Sequence, residues 1–395
     1  MTMTMERKES YEMEFACSKT NIAFDAWTVT TKEDDAFYGT LCEISEKSNW
    51  MHGIKSSDIR VVPLEQNPLL MEDLGARYNV SPELIWDTME NTKLMLEVDG
   101  TFYPLRTSAM KSMLETAKIS GNALYKVKTE HLAEILNYCM EVAKGKSLLL
   151  VRAGKASAVL SSEARGYGIL PLDQLYKETK NAINRKFGSS MLVEGNVSHE
   201  YLKAFFKLPK NNKALEEYKD FVNSAYDLDA VEPGIILRSS DVGMAAATLE
   251  PVFICKDKYW KIGNADKLHH KPGNTIESFQ EMAATSFSKL DKTIEKFMEL
   301  SKIEINHPHN AFMLACKKAK LPKKLTSEAL EEFSMMVAAD DISNAHDVYL
   351  GITEILFYAK RDGMSSLDIS YIDDNVSKIL NFNWSELDLP GEHSW

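Results

Sequence analysis

Basic side chains gather around a hairpin that the sequence predicts near the middle of the chain. Lys146 precedes an apolar run that ends at Arg152, and Lys155 lies in the turn before the returning run. Rows of cations bind phosphate groups, and aromatic rings stack on unpaired bases. We therefore predict a nucleic-acid site on this hairpin, on the loop after it and on one later strand. Its residues are Lys146, Arg152, Lys155, Arg165, Tyr167 and Arg238.

Two further groups of lysines have the same chemical character. Such groups bind polyanions, but they are equally typical of an ordinary solvated surface. Both interpretations stay open for all three basic groups. The second group is Lys203, Lys207, Lys210 and Lys213, and the third is Lys302, Lys317, Lys318, Lys320, Lys323 and Lys324.

Sequence motifs for catalysis are absent or incomplete. The segment Lys144-Gly145-Lys146-Ser147 ends like a phosphate-binding loop, Gly-x-x-x-x-Gly-Lys-Ser/Thr. That motif also needs a glycine five residues before Gly145, and it connects a strand to a following helix. Here position 140 is Met, and the predicted order is helix and then strand. No Gly-x-Gly-x-x-Gly and no Gly-x-Ser-x-Gly occurs, so neither a dinucleotide loop nor a nucleophile elbow is predicted.

Paired histidines and paired aspartates are the remaining candidates for metal or acid–base chemistry. No third ligand stands at a useful spacing from either histidine pair, so we predict polar loop histidines. The aspartate pairs could meet in one acidic site, but solvated helix ends are the favoured interpretation because acids stabilise first turns. We predict no metal and no cofactor. The pairs are His269-His270, His307-Pro308-His309, Asp340-Asp341 and Asp373-Asp374.

The cysteines and the apolar runs bear on the compartment. No run of about 18 apolar residues occurs, and the first residues have no apolar core. The cysteines are odd in number, far apart and never in a Cys-x-x-Cys pair, which argues against a disulfide framework. We expect a protein of the host-cell cytoplasm with no membrane partner and with free cysteines. They are Cys17, Cys42, Cys139, Cys255 and Cys316.

Charge is distributed unevenly along the 395 residues. Hydrophobic residues make up 44% and charged residues 26%, as in ordinary globular proteins. Residues 326–395 hold 14 acids and three bases, a charge of −11, which leaves −1 of the net −12 for the first 325 residues. An acidic whole chain therefore does not exclude a cationic groove on its body.

The pattern of turns and apolar periods predicts an α+β fold, with a mixed or antiparallel sheet, flanking helices and an all-helical C-terminal bundle. Asp99-Gly100 between apolar runs predicts a hairpin over 94–105, and period-two runs predict a second hairpin over 147–161. Residues 1–60 show no clean period. The predicted regions are 1–145, 146–272 and 273–395. Helices are predicted at 81–91, 107–119, 130–143, 172–187, 276–301, 308–319, 327–338, 343–361 and 371–380, and further strands at 190–194, 201–207, 231–238 and 246–255.

Two segments, 147–172 and 231–272, carry a family resemblance. The first pairs the hairpin with Tyr167-Gly168-Ile169-Leu170-Pro171-Leu172, and the second holds Ser239-Ser240-Asp241-Val242-Gly243 and Leu249-Glu250-Pro251-Val252-Phe253. These motifs resemble a phage- and plasmid-encoded family, that of domain of unknown function 932, over residues ~90–380. Ser-Ser-Asp replaces the family's Asn-Ser-Glu, and Cys255-Lys256-Asp257-Lys258 replaces its Cys-Thr-Asn-Gly. The resemblance implies a mobile genetic element and accessory work in recombination or anti-defence, and it supplies no catalytic residues.

Three hypotheses follow. The first is a non-catalytic DNA-binding phage protein, of the kind that assists single-strand annealing or recombination. The second is a counter-defence protein whose acidic helices, within 326–380, block the nucleic-acid channel of a host immune complex. The third is an enzyme whose nucleotide-processing site is dispersed along the chain. We expect binding rather than catalysis, with single-stranded DNA or a host protein complex as partner; self-association is compatible with each hypothesis.

Overall fold

The computed structural model describes residues 21–64, 71–119, 122–143, 145–162, 166–209, 213–222, 224, 230–255, 258–391 and 393. Within these ranges the chain forms helices and antiparallel sheets, which confirms the α+β class and the helical C-terminal part. Some predicted features lie outside the described residues. They are the site residue Arg165, the basic residues Lys144 and Lys210, and Cys17.

Strand positions follow local turn chemistry. Asp99 and Gly100 both have positive φ, 50° and 73°, and so do Ala153 and Gly154, 48° and 80°. A two-residue hairpin turn with φ above zero at both positions matches the twist of the strands that it joins. The strands are β1 (Thr28–Thr31), β2 (Ser48–Lys55), β3 (Ile59–Pro63), β4 (Leu94–Val98), β5 (Thr101–Pro104), β6 (Lys146–Arg152), β7 (Lys155–Ser161), β8 (Met191–Ser198), β9 (Leu202–Lys207), β10 (Val231–Ser239), β11 (Ala247–Cys255), β12 (Lys258–Lys261), β13 (Asp266–Leu268), β14 (Glu304–Ile305) and β15 (Ser343–Asn344).

Some of the described helices begin at a side chain that satisfies a free N–H group. Thr275 Oγ1 accepts a hydrogen bond from the N–H of Ser278, and the N–H of Thr275 donates to Ser278 Oγ, which is a complete capping box. Asn344 caps a later helix through the N–H of Asp347. The helices are α1 (Asp34–Glu46), α2 (Met71–Tyr78), α3 (Pro82–Glu90), α4 (Thr107–Thr116), α5 (Thr129–Val142), α6 (Leu172–Phe187), α7 (Lys213–Phe221), α8 (Ile276–Ser288), α9 (Leu290–Glu299), α10 (Pro308–Lys318), α11 (Lys323–Met336), α12 (Ala345–Arg361) and α13 (Ser366–Lys378).

Three sheets organise the fold. The largest has the order β1-β8-β9-β10-β11-β12, with β13 beside β11, and its neighbouring strands are antiparallel. Two three-stranded sheets, β2-β6-β7 and β3-β4-β5, meet through a bridge between Leu105 and Ala156. Helices α4 and α5 cover their shared core, which includes Leu96, Met113 and Leu149.

The main core lies on one face of the large sheet. Phe206 and Phe253 belong to that face, and the helices before and after the sheet contribute Phe37, Phe297 and Tyr349 to the same cluster. Since this cluster runs from Ile22 to Leu387, the predicted regions share one core. Pairing between β2 and β6 also crosses the predicted boundary at residue 145.

Several elements differ from the predictions. Helices α1, α2 and α7 were not predicted; in α7 the buried residues are Ala214, Leu215 and Tyr218, a short amphipathic stripe. The predicted helix over 276–301 divides into α8 and α9 at Lys289. The two-residue strands β14 and β15 pair within the helical C-terminal part. None of the described helices is long and apolar enough to cross a bilayer.

Candidate nucleic-acid interface

Lys146 and Lys155 stand at opposite ends of the β6–β7 hairpin, and only Lys146 is exposed. Lys155 is completely buried because it lies beside the turn, where α3 and the segment before β1 approach. Its ammonium donates to Asp25 Oδ1 at 3.0 Å and also pairs with Asp87. A buried cation between two carboxylates is not available to a phosphate. The prediction that Lys155 contacts phosphate is therefore corrected.

Arg152 is likewise buried at the end of β6. Its guanidinium pairs with Asp241 and donates to Ser48 Oγ at 2.9 Å. Asp241 is the acid of the Ser-Ser-Asp-Val-Gly turn on which the resemblance partly rests. This turn therefore supplies a counter-ion to the hairpin, and Arg152 is not exposed to a ligand.

Arg238 projects from β10 onto the second face of the large sheet, where it is 3% exposed. It pairs with Glu250 at 3.1 Å and with Asp373 of α13. Burial would raise the pKa of Asp373, but Lys261 and Arg238 outweigh it and hold that pKa below its ordinary value. The predicted solvated helix end at Asp373 is thus wrong, because this carboxylate is buried among cations.

Tyr167 is half-buried in the loop after the hairpin, and its hydroxyl donates to the carbonyl of Ser240 at 2.9 Å. Its ring stacks on His270, with centroids 4.9 Å apart and planes 5° apart, and on Trp50 at 6.1 Å and 21°. Burial raises the pKa of Tyr167 and lowers that of His270 to about 4, so both rings are neutral at pH 7. We call Trp50, Tyr167 and His270 the ring stack.

The ring stack lies on the outer face of sheet β2-β6-β7, with Leu148 and Leu150 beneath it. Strand pairing places Lys55 of β2 directly opposite Lys146 of β6, and both side chains are exposed. A bulge between Met51 and Ile54 keeps Trp50 and Lys55 on the same face, and their partners on β6, Leu150 and Lys146, are four residues apart, roughly 13 Å along the strand. Lys271 is exposed next to His270. Exposed cations therefore lie near half-buried rings on this face, which we call the ring-stack face.

Arg106 was missed by the sequence analysis, although it joins more segments than any predicted residue. It is 1% exposed and donates to the backbone carbonyls of Ile22, Ala23 and Phe24. It also donates to Ser157 Oγ at 3.0 Å and to the carbonyl of Arg152 at 3.3 Å. Burial lowers the pKa of Arg106 to about 10, so the guanidinium stays charged at neutral pH. Its neighbours are too far away in sequence for any local motif to reveal it.

A cavity of about 300 Å³ opens beside Arg106. His199 lines it, and burial, together with Arg106, holds the pKa of this imidazole well below its ordinary value. Asp25 and Glu200 line it too, but Asp25 pairs with Lys155 and Glu200 with Lys111. The charged groups here thus neutralise each other across the cavity wall.

Ion pairs with acids engage at least five of the nine described lysines in the second and third basic groups. Burial lowers the pKa of Lys203 to about 8, and its ammonium donates to Tyr259 Oη at 3.1 Å. Most of the described acids of the C-terminal region are also engaged within the chain, so folding reduces the predicted contrast between a near-neutral body and an acidic C-terminal region. The ion pairs include Lys207–Glu232, Lys213–Glu217, Lys258–Glu354, Lys302–Glu299, Lys318–Glu386 and Lys324–Asp362.

The histidine pairs do not form a metal site in the described part of the chain, where no three His, Cys, Asp or Glu side chains converge for one. His270 belongs to the ring stack rather than to a solvated loop. His309 lies in α10, and its Nε2 donates to the carbonyl of Val337 at 2.8 Å. Asp340 and Asp341 are exposed, as predicted.

No family model matches the chain, and no curated protein or solved structure is detectably similar to it. The arrangement of side chains must therefore carry the functional argument. It offers a stacking surface with nearby cations on the ring-stack face, and ion-paired clusters elsewhere.

Proposed function

We propose that the protein binds single-stranded nucleic acid, without catalysis, on the ring-stack face. The observation that carries this proposal is the ring stack itself, half-buried on a face that also carries the exposed lysines Lys55 and Lys146. Unpaired bases stack on aromatic faces at about 1–3 kcal/mol per base, whereas paired bases are not free to do so. The phosphates on either side of a stacked base would contact the lysines.

The residues of this interface differ in part from those that the sequence suggested. The proposed interface keeps Lys146 and Tyr167. Tyr167 positions the other two rings, since it stacks on both Trp50 and His270. The proposed interface excludes Arg152, Lys155 and Arg238, because they are buried in ion pairs. It includes three residues that the sequence analysis did not select, namely Lys55, Trp50 and Lys271.

The resemblance to the phage- and plasmid-encoded family supports a place in replication or recombination of a mobile element. With it we propose the host-cell cytoplasm as the location and single-stranded DNA as the partner. The acidic helices, by contrast, use most of their carboxylates inside the molecule, which leaves less charge to block a foreign cationic channel.

The test is a salt series of oligonucleotide binding. Three phosphate contacts, from Lys55, Lys146 and Lys271, predict a slope of log K against log salt of about −2 for single strands. A fluorescent dT oligonucleotide would be titrated by anisotropy between about 20 and 200 mM salt, with a duplex of equal length in parallel. Single strands should bind more tightly than the duplex.

Matched variants locate the site. Lys55→Gln with Lys146→Gln should weaken binding and reduce the slope by about 1.4, while Trp50→Leu should weaken binding and leave the slope unchanged. Lys186→Gln is the control, because Lys186 is exposed on α6, which packs on the main-core face of the large sheet. Equal binding by the double variant and the control would refute the proposal.

A further inference from the structure

Three cations gather on the second face of the large sheet. Lys203 of β9 stands opposite Arg238 of β10, and Lys261 of β12 projects on the same side. Arg238 and Lys261 are 3% and 1% exposed, and Lys203 is half-buried. Each comes from a different strand, so pairing of the sheet alone brings them together. We call them the sheet cations.

Three carboxylates lie within 4 Å of Arg238 or Lys261, and Glu250 is the one that belongs to the sheet; Glu194 of β8 acts on Lys203, against the burial that lowers its pKa. Glu250 of β11 pairs with Arg238 and with Lys261, both at 3.1 Å. The other two are Asp373 and Asp374 of α13. Arg238 and Lys261 together with Glu250 leave a net charge of +1 on the sheet, which the two helix carboxylates more than cancel. The remaining counter-ions of these two cations therefore come from a separate element.

The two helix carboxylates are held differently. Asp373 is 1% exposed and accepts hydrogen bonds from Arg238 and, at 3.1 Å, from Tyr259 Oη. Asp374 is 38% exposed, and it accepts a hydrogen bond from Lys261 Nζ at 3.0 Å and lies 3.5 Å from Arg238 Nη1. Asp374 can therefore turn toward solvent without movement of the helix, whereas Asp373 cannot.

Arg238 gives a second indication of an incomplete site. Its Nε is buried and has no hydrogen-bond partner among the described residues. Buried N–H groups of a guanidinium are normally paired, and a planar guanidinium is suited to an anion with two or more oxygens. Asp374, with one oxygen on Lys261, leaves part of this donor set unused.

We propose that Arg238 and Lys261 form a latent binding site for a phosphate group, with the Asp374 carboxylate as its internal occupant. A phosphate enters when Asp374 turns out, and its oxygens accept from Lys261 Nζ and from the Arg238 guanidinium. The site goes beyond the proposed function because it lies on a different sheet from the ring stack. Free phosphate and the phosphate of a nucleic acid share this chemistry.

The test is rescue of an Asp374→Ala variant by inorganic phosphate. Removing this carboxylate opens the site and lowers the melting temperature, and phosphate at saturation restores it by about 2–4 °C. Phosphate also stabilises proteins generally, by exclusion from their surface. Asp368→Ala is the matched control, since Asp368 is an exposed acid of the same helix that bonds only to Ser365 among the described residues.

A larger phosphate response in Asp374→Ala than in wild type and Asp368→Ala supports the proposal. Equal responses in all three chains overturn it, whether or not the ring-stack face binds nucleic acid. Asp374→Asn, which has the same shape without the charge, repeats the comparison if the alanine variant folds poorly. A second comparison distinguishes free phosphate from the phosphate of a nucleic acid. A dT oligonucleotide is added, at the same phosphate concentration, to a chain that carries both Asp374→Ala and Trp50→Leu. A larger rise in melting temperature than with inorganic phosphate identifies nucleic acid as the ligand, and an equal rise identifies free phosphate.

Discussion

A substitution at Lys155 tests whether this lysine stabilises the fold or binds a ligand. We consider Lys155→Met, which keeps the apolar stem and removes the ammonium. The substitution leaves Asp25 and Asp87, whose side chains are 7% and 11% exposed, without this partner. Breaking a buried ion pair by removing one partner costs about 3–5 kcal/mol, mostly through the charge left behind.

The expected loss lies near the lower end of that range. Asp25 keeps a second cation, Arg106, at 3.4 Å, whereas Asp87 has no other cation within ion-pair distance among the described residues and interacts with Arg106 only from farther away. One carboxylate, rather than two, is left uncompensated, so we expect a loss of about 3 kcal/mol in the free energy of unfolding. This is a large part of the roughly 5–15 kcal/mol that stabilises a typical protein.

The assay is urea unfolding followed by tryptophan fluorescence. Lys146→Met is the matched control on the same hairpin; because Lys146 is exposed, it should change stability by less than about 0.5 kcal/mol. Adding Asp87→Asn to Lys155→Met removes the stranded charge and should recover more than about 1 kcal/mol. If Lys155→Met unfolds at the same urea concentration as Lys146→Met, Lys155 is not held as described and our reasoning about this hairpin fails.

Three further outcomes are expected. Asp373→Asn should lower the free energy of unfolding by about 3 kcal/mol at pH 7. Folding lowers the pKa of Asp373, so the stability that this carboxylate contributes is present above the ordinary carboxyl pKa and is lost on acidification. In urea unfolding at several pH values, the difference in stability between the variant and wild type should therefore shrink below about pH 4. Gly195→Ala would place a Cβ 2.6 Å from the buried ring of Phe37 and should cost about 1–3 kcal/mol in the same assay; an unchanged value would show that the ring moves freely. Thr275→Ala removes the cap that accepts from Ser278 and should lower stability by about 1 kcal/mol, whereas no loss would mean that water replaces the cap.

Elements governed by local chemistry were predictable from the sequence. The Asp99-Gly100 hairpin and the helix over 172–187 follow from turn residues and from apolar periodicity, and both are present at the predicted positions. Helix α1 was missed, although its buried residues Phe37, Leu41 and Ile44 stand at the helical spacing i, i+4 and i+7. The three are the only buried residues of a helix that otherwise mixes acids with small residues, so the period is short and easily overlooked.

The partners of the charged side chains were beyond local analysis. Arg238 and Asp373 are 135 residues apart, and Lys155 and Asp87 are 68 apart. Composition reports how many charges a segment holds, but burial of a charge depends on contacts that form only in the folded chain. Three of the six residues predicted to contact nucleic acid are for this reason internal, while Trp50 and His270 were overlooked because their role depends on stacking with Tyr167.

The guanidinium of Arg106 determines which segments of the chain unfold together. It holds the residues just before β1 against the turn of a hairpin that lies some 130 residues later in the chain, and both neighbouring small sheets share that junction. Separating residues 22–24 from this junction would leave a guanidinium that is charged at neutral pH without three of its carbonyl acceptors. We therefore expect the backbone amides of 22–24, 106 and 152–157 to exchange with solvent at one common rate, as a single cooperative unit, and not in the order of their depth below the surface.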